Sequence, residues 1–143
     1  MCREMTSNTT IKVSENKSSF TIENKSELTI EKIKVDGGLI KKDETKRRCD
    51  YLFVIHPAEA DKKKKQRAWY VELKGTDIKG ATEQLAATLH NKVLDYRSAE
   101  KICFVVTTRL PKHGPSVQER KILFKRVHRV KLEIKKSPIE VSV

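Results

Sequence analysis

The chain has 143 residues, with 31 Lys and Arg against 19 Asp and Glu, a net charge of +12 and a pI near 9.7. That length suits one domain and argues against two independent cores, and 37% apolar with 35% charged residues lies well above the disordered regime. The charge excess favours a polyanionic partner, nucleic acid or an anionic membrane surface; no apolar run approaches the roughly 18 residues of a membrane-spanning helix, and residues 1–10 lack the apolar core of a secretory signal.

In chain order, residues 1–18 are rich in Ser, Thr and Asn, with Ile11 and Val13 as apolar anchors. They read as a flexible N-terminal arm or one weak strand, ahead of a single domain over 19–143. Phe20 and Ile22 alternate as in a strand, whereas Ser26, Leu28, Ile30 and Ile33 also suit a short helix. Ile33 and Val35 then alternate up to Asp36-Gly37-Gly38 and Leu39-Ile40, and after a polar turn residues 48–55 read as a buried strand that Pro57 ends. The two strands predict a hairpin. A polar loop over 58–67 holds Lys62, Lys63, Lys64, Lys65 and Arg67.

Residues 68–74 alternate cleanly, with Trp69, Val71 and Leu73 on one face and Tyr70, Glu72 and Lys74 on the other. Gly75 stops this strand. Thr76 or Asp77 caps a helix to about Tyr96, in which Ile78, Ala81, Leu85, Leu89 and Val93 recur at helical spacing. Residues 101–108 predict another buried strand and 111–115 a loop. Ser116 with Glu119 forms a capping box for a basic helix of about ten residues, and Val130, Leu132 and Ile134 predict a late strand. The order implies an α/β or α+β domain with a mixed sheet.

Cys2, Cys49 and Cys103 are widely spaced and form no CxxC pair, and His56, His90, His113 and His128 are scattered. Neither a tetrahedral zinc site nor a disulfide framework is expected, and a reduced, cytoplasmic setting is. Cys49 and Cys103 read as small core residues.

One cluster of polar residues interrupts the apolar pattern. Asp50 opens an apolar strand, and Glu72 and Lys74 share a face of the next. If those strands pair, two carboxylates meet, and a hard divalent cation such as Mg²⁺ relieves their repulsion while keeping several waters. Lys74 would then orient a metal-bound water, an assembly suited to phosphodiester hydrolysis. The plainer alternative is a half-exposed sheet face with a Glu–Lys pair, worth a few tenths of a kcal/mol.

Cys49-Asp50 followed by Glu72-Leu73-Lys74 and a helix resembles the PD-(D/E)xK nuclease superfamily. The resemblance spans roughly residues 30–108. It implies a restriction-endonuclease-like mixed β-sheet flanked by helices, with Asp50 and Glu72 binding Mg²⁺ or Mn²⁺ and the Leu73 carbonyl a further ligand. It also implies that Lys74 supports the nucleophilic water and Gln84 on the next helix assists. The tripeptide alone selects nothing, because Asp/Glu-x-Lys also begins at Glu15, Glu23, Glu44, Asp61, Asp77, Glu119 and Glu133; the flanking strand and helix single out Glu72. The family often adds an acid from a preceding helix, for which Glu23, Glu27 and Glu31 are available. Asp36 is a possible extra acid, although a turn role suits it too.

Residues 112–136 hold nine basic residues against Glu119 and Glu133. Arg120, Lys121, Lys125 and Arg126 on the basic helix, with the 62–65 lysines and Arg67 near the site, are expected to contact a phosphate backbone. A basic helix also suits a membrane surface, but this one lacks a broad apolar face, so no membrane partner is expected. The resulting expectation is a divalent-metal-dependent nuclease acting on DNA, a homodimer if both strands are cut. The alternatives are a catalytically inactive nucleic-acid-binding module and a regulatory protein of the same fold.

Overall fold

Strict alternation of apolar residues builds two sheets that share one core. The computed structural model describes residues 3–35, 49–61, 63–91, 96, 98–110 and 116–143. Its strands are β1 (Arg3–Thr6), β2 (Thr10–Glu15), β3 (Ser18–Glu23), β4 (Ile30–Lys34), β5 (Tyr51–Ile55), β6 (Arg67–Leu73), β7 (Glu100–Thr107), β8 (Lys131–Lys136) and β9 (Ile139–Ser142). Its helices are α1 (Ile78–Leu89) and α2 (Val117–His128).

Six strands form one mixed sheet in the order β1-β4-β5-β6-β7-β8, and β2-β3-β9 form a second. The meander from β4 to β6 is antiparallel. After α1, β7 pairs parallel to β6 and β8 parallel to β7. The expected α/β class with a mixed sheet is therefore found.

Side-chain parity divides the core. Leu52, Val54, Ala68, Tyr70, Cys103 and Val105 face α1 and α2. Their odd-even neighbours Phe53, Ile55, Trp69, Val71, Leu73, Phe104 and Val106 face the small sheet, which contributes Ile11, Val13, Phe20 and Ile22. The large sheet is thus buried on both sides, and the face of β6 bearing Tyr70 and Glu72 lies under helices.

Several expectations change. The segment read as an arm or one weak strand holds two strands, β1 against β4 and β2 against β3. Residues 30–34 are a strand rather than a helix, since Ile30 and Ile33 are needed in opposite layers. The β2–β3 connection turns at Asn16 and Lys17, both with positive φ (51° and 63°), the geometry that suits a two-residue hairpin. Helix α1 ends at Leu89, short of Tyr96, and β9 was not foreseen.

Phe20 anchors the layer between the sheets. It is fully buried, with ring centroids 5.1 Å from Phe104, 6.0 Å from Phe53 and 6.5 Å from Trp69. Phe20→Ala is expected to lower stability by about 3–5 kcal/mol, read as a shifted urea midpoint with an unchanged slope.

Candidate metal centre

The register of β5 against β6 decides what the acidic residues can do. Tyr51 lies opposite Val71, so Asp50, one residue before β5, lies beside Glu72 near the end of β6. Both side chains have the parity of Leu52 and Tyr70 and face the α1 layer. Asp50 is 7% exposed and Glu72 1%, so each must find partners inside the protein.

The partners are interlocked. Asp50 donates its backbone N–H to Glu72 Oε1 at 3.1 Å, and Asp50 Oδ2 accepts the backbone N–H of Leu73 at 2.9 Å. Lys74 Nζ stands 3.7 Å from Glu72 Oε2, and that oxygen is buried without a hydrogen-bond donor. Burial, then a side-chain hydrogen bond with Asp50 and the Asp50 charge, push the Glu72 carboxyl up to about 10, with Lys74 opposing. Buried polar atoms left without a partner are uncommon, although Thr107 Oγ1 is another among the described residues.

Two carboxylates and one orphaned, inward-facing oxygen fit a hard divalent cation, which relieves charge repulsion and accepts oxygen ligands. Among the described residues no group of three or more His, Cys, Asp and Glu side chains comes together. Asp50 and Glu72 would therefore supply the side-chain ligands, in keeping with Mg²⁺ held by one or two carboxylates plus water. The Leu73 carbonyl accepts Asn16 Nδ2 at 2.9 Å, so one lone pair is already engaged.

Sequence reading missed the hairpin tip that leans on this strand end. Asn16 holds the Leu73 carbonyl, and Ser18 Oγ donates to the Lys74 carbonyl at 2.9 Å. Lys74 N–H donates to Val106 at 2.9 Å, so the Glu72-Leu73-Lys74 backbone is held from three sides. The only sequence signal was Asn16 itself, a residue that tolerates positive φ in turns.

Cys49 positions Asp50 from the other direction. Its N–H donates to Thr88 Oγ1 at 2.7 Å, and that hydroxyl donates to the Gln84 carbonyl at 2.8 Å. Burial pushes the Cys49 thiol well up, so it is a core residue and not a nucleophile. Gln84 itself is half-buried on α1. Thr88→Val keeps the shape but orphans the Cys49 N–H, and a loss of about 1–3 kcal/mol is expected. Thr88→Ser should restore most of it in the same urea titration.

The lysine loop lies elsewhere than expected. It joins the end of β5 to the start of β6, where Ile55 pairs with Arg67, whereas Asp50 and Glu72 sit at the opposite ends of those strands. Five residues from Arg67 to Glu72 span roughly 17 Å, so Lys63, Lys64, Lys65 and Arg67 do not border the carboxylates. Lys62 and Asp36 fall outside the described residues, as do Lys112 and His113. The acids proposed for a preceding helix are also placed away: Glu23 is in β3, Glu27 in a turn, and Glu31 in β4, bound to Arg3 at 2.7 Å. Arg120 and Lys121 turn inward on α2, the first lining a cleft against α1 and the second reaching Glu133 at 3.4 Å. Lys125 and Arg126 are exposed.

No protein-family model, curated protein or solved structure matches this chain. Among the described residues no helix is long and apolar enough to cross a membrane.

Proposed function

We propose that the protein is a divalent-metal-dependent phosphodiesterase acting on DNA, of restriction-endonuclease-like architecture. The observation that carries this reading is Glu72 Oε2, a buried carboxylate oxygen with no hydrogen-bond donor, beside Asp50 and 3.7 Å from Lys74 Nζ. A structural Glu–Lys pair on a half-exposed face would leave both groups in water, and Glu72 is 1% exposed. The order of antiparallel β5 and β6, helix α1 and parallel β7 also supports the architecture that the Asp50…Glu72-Leu73-Lys74 pattern resembles.

In this reading Asp50 and Glu72 hold Mg²⁺ or Mn²⁺. When bound, the ion polarises a phosphoryl oxygen and acidifies water. Lys74 places its ammonium over Glu72, so it can orient the attacking water and offset charge on the phosphate. Leu73 N–H fixes the Asp50 carboxylate, and Asn16 and Ser18 fix the strand end, so the acid pair needs little rearrangement.

The test is incubation of purified protein with linear, circular, branched and single-stranded DNA, with Mg²⁺ or Mn²⁺ and with EDTA. Divalent-dependent cleavage of at least one substrate is expected. Salt-sensitive binding with no cleavage would favour the inactive nucleic-acid-binding module instead, and weak binding at physiological salt would favour the regulatory protein.

A further inference from the structure

Strand β8 closes one side of the six-stranded sheet and carries a row of cations. Leu132 and Ile134 are buried against the helices, and Lys131, Glu133 and Lys135 alternate onto the other face. Glu133 gathers three ammonium groups, Lys131 at 3.2 Å, Lys121 at 3.4 Å and Lys135 at 3.8 Å. One carboxylate among three lysines leaves a surplus of positive charge along this edge.

The row continues at both ends. Lys131 lines a cleft of ≈ 620 Å³ with Lys135, Trp69 and Phe104, where Glu133 and Glu140 are the opposing acids. It also lines a second cleft of ≈ 600 Å³ with Lys101, Lys125, His128 and Arg129, where Glu100 is the opposing acid. At the other end Lys135 pairs with Val106, which pairs with Leu73. Two strand spacings put Lys135 roughly 10 Å from the strand end bearing Glu72 and Lys74. From Lys131 to Lys135 the row covers roughly 13 Å, about four base pairs at 3.4 Å rise.

We propose that the β8–α2 edge is a track for the sugar-phosphate backbone of duplex DNA, running along the sheet edge with the β8 lysines on the face opposite the carboxylate pair. The proposal extends the nuclease reading and rests on it only for the direction of the track. A line of cations along a rigid edge strand matches a phosphate backbone better than a lipid surface. Strand β8 carries none of the exposed large apolar residues among those described, whereas α2 carries Ile122, Leu123 and Val127, so a lipid surface is the rival that the vesicle arm below must exclude.

The experiment measures binding without cleavage, by fluorescence anisotropy of the full chain in EDTA, using duplexes of about 6 and about 20 base pairs over a salt series. Removing two track cations in Lys125→Ala/Lys135→Ala should weaken binding of the longer duplex about tenfold and flatten the log-log salt slope by about 2. The short duplex, which still spans the row, should lose about as much, and Lys12→Ala/Lys25→Ala, in β2 and just after β3, should change neither quantity. Unchanged affinity and slope in the track variant, or an equal loss in the control variant, overturns the proposal. So does phosphatidylserine-vesicle binding that exceeds duplex binding and is lost in the track variant. If Asp50→Asn and the unaltered protein both fail to cleave while binding still follows the track, the nuclease reading falls and the track stands.

Discussion

Asp50→Asn is expected to lower Mg²⁺-dependent cleavage by at least about a hundredfold while leaving the fold intact. The asparagine carbonyl can still accept the Leu73 N–H that Asp50 Oδ2 accepts at 2.9 Å. What disappears is the negative charge that a divalent ion requires. Asp50→Ala tests the same point less cleanly, because it orphans a buried N–H at about 1–3 kcal/mol. Lys74→Ala should lose activity by about 10²-fold as well, with a different signature. Among the described residues its ammonium makes the 3.7 Å approach to Glu72 and no shorter contact, so metal-dependent stabilisation should persist while turnover falls. Single-turnover rates for both variants, with thermal melts in Mg²⁺ and in EDTA, separate a lost ligand from a lost activator. Cleavage by either variant at the unaltered rate would point to a contaminating nuclease or to a different site.

Local pattern made one half of this site legible. Period-two alternation in Trp69-Tyr70-Val71-Glu72-Leu73 identifies β6 and predicts which face Glu72 takes, and helical recurrence of Ile78, Ala81, Leu85 and Leu89 places α1 beside it. Ser116 accepting the Glu119 N–H at 3.1 Å likewise starts α2 where the capping box predicts. Long-range geometry was not legible. Lys63–Lys65 is close in sequence to both acidic strands, but an antiparallel pair reverses direction, so these lysines and the acids occupy opposite ends. Asn16 reaches Leu73 across 57 positions, and nothing local marks that contact. The small sheet escaped because its strands are short and rich in Ser and Thr, with burial confined to alternate residues such as Ile11 and Val13. Residues 26–33 fit either period, and pairing of β4 with β1 and β5 decided the outcome.

The second large effect concerns stability, and its sign follows from Glu72. Burial, then Asp50, raises the folded-state pKa of Glu72 from an ordinary value near 4.5 to about 10. Between those values the folded protein holds a proton that the unfolded chain has released, so this group's contribution is fully present below about pH 4.5 and is lost as pH rises toward 10, at up to about 1.4 kcal/mol per pH unit. A glutamine has no such penalty, and its carbonyl can keep the Asp50 N–H bond made at 3.1 Å. Glu72→Gln is therefore expected to stabilise the metal-free protein at pH 8, read as a higher urea midpoint. At pH 5 the gain should nearly vanish. Urea titrations in EDTA at the two pH values test this directly. Mg²⁺ should do the reverse: it stabilises the unaltered protein, by about 2.7 kcal/mol at a hundred times its dissociation constant, and leaves the glutamine variant unchanged. Because the ion must displace the Glu72 proton, its effect should grow from pH 6 to pH 8. A variant less stable than the unaltered protein at both pH values would mean that Glu72 is ionised and held by Lys74, and the carboxylate pair would then be a structural ion pair rather than a site kept under strain for a metal.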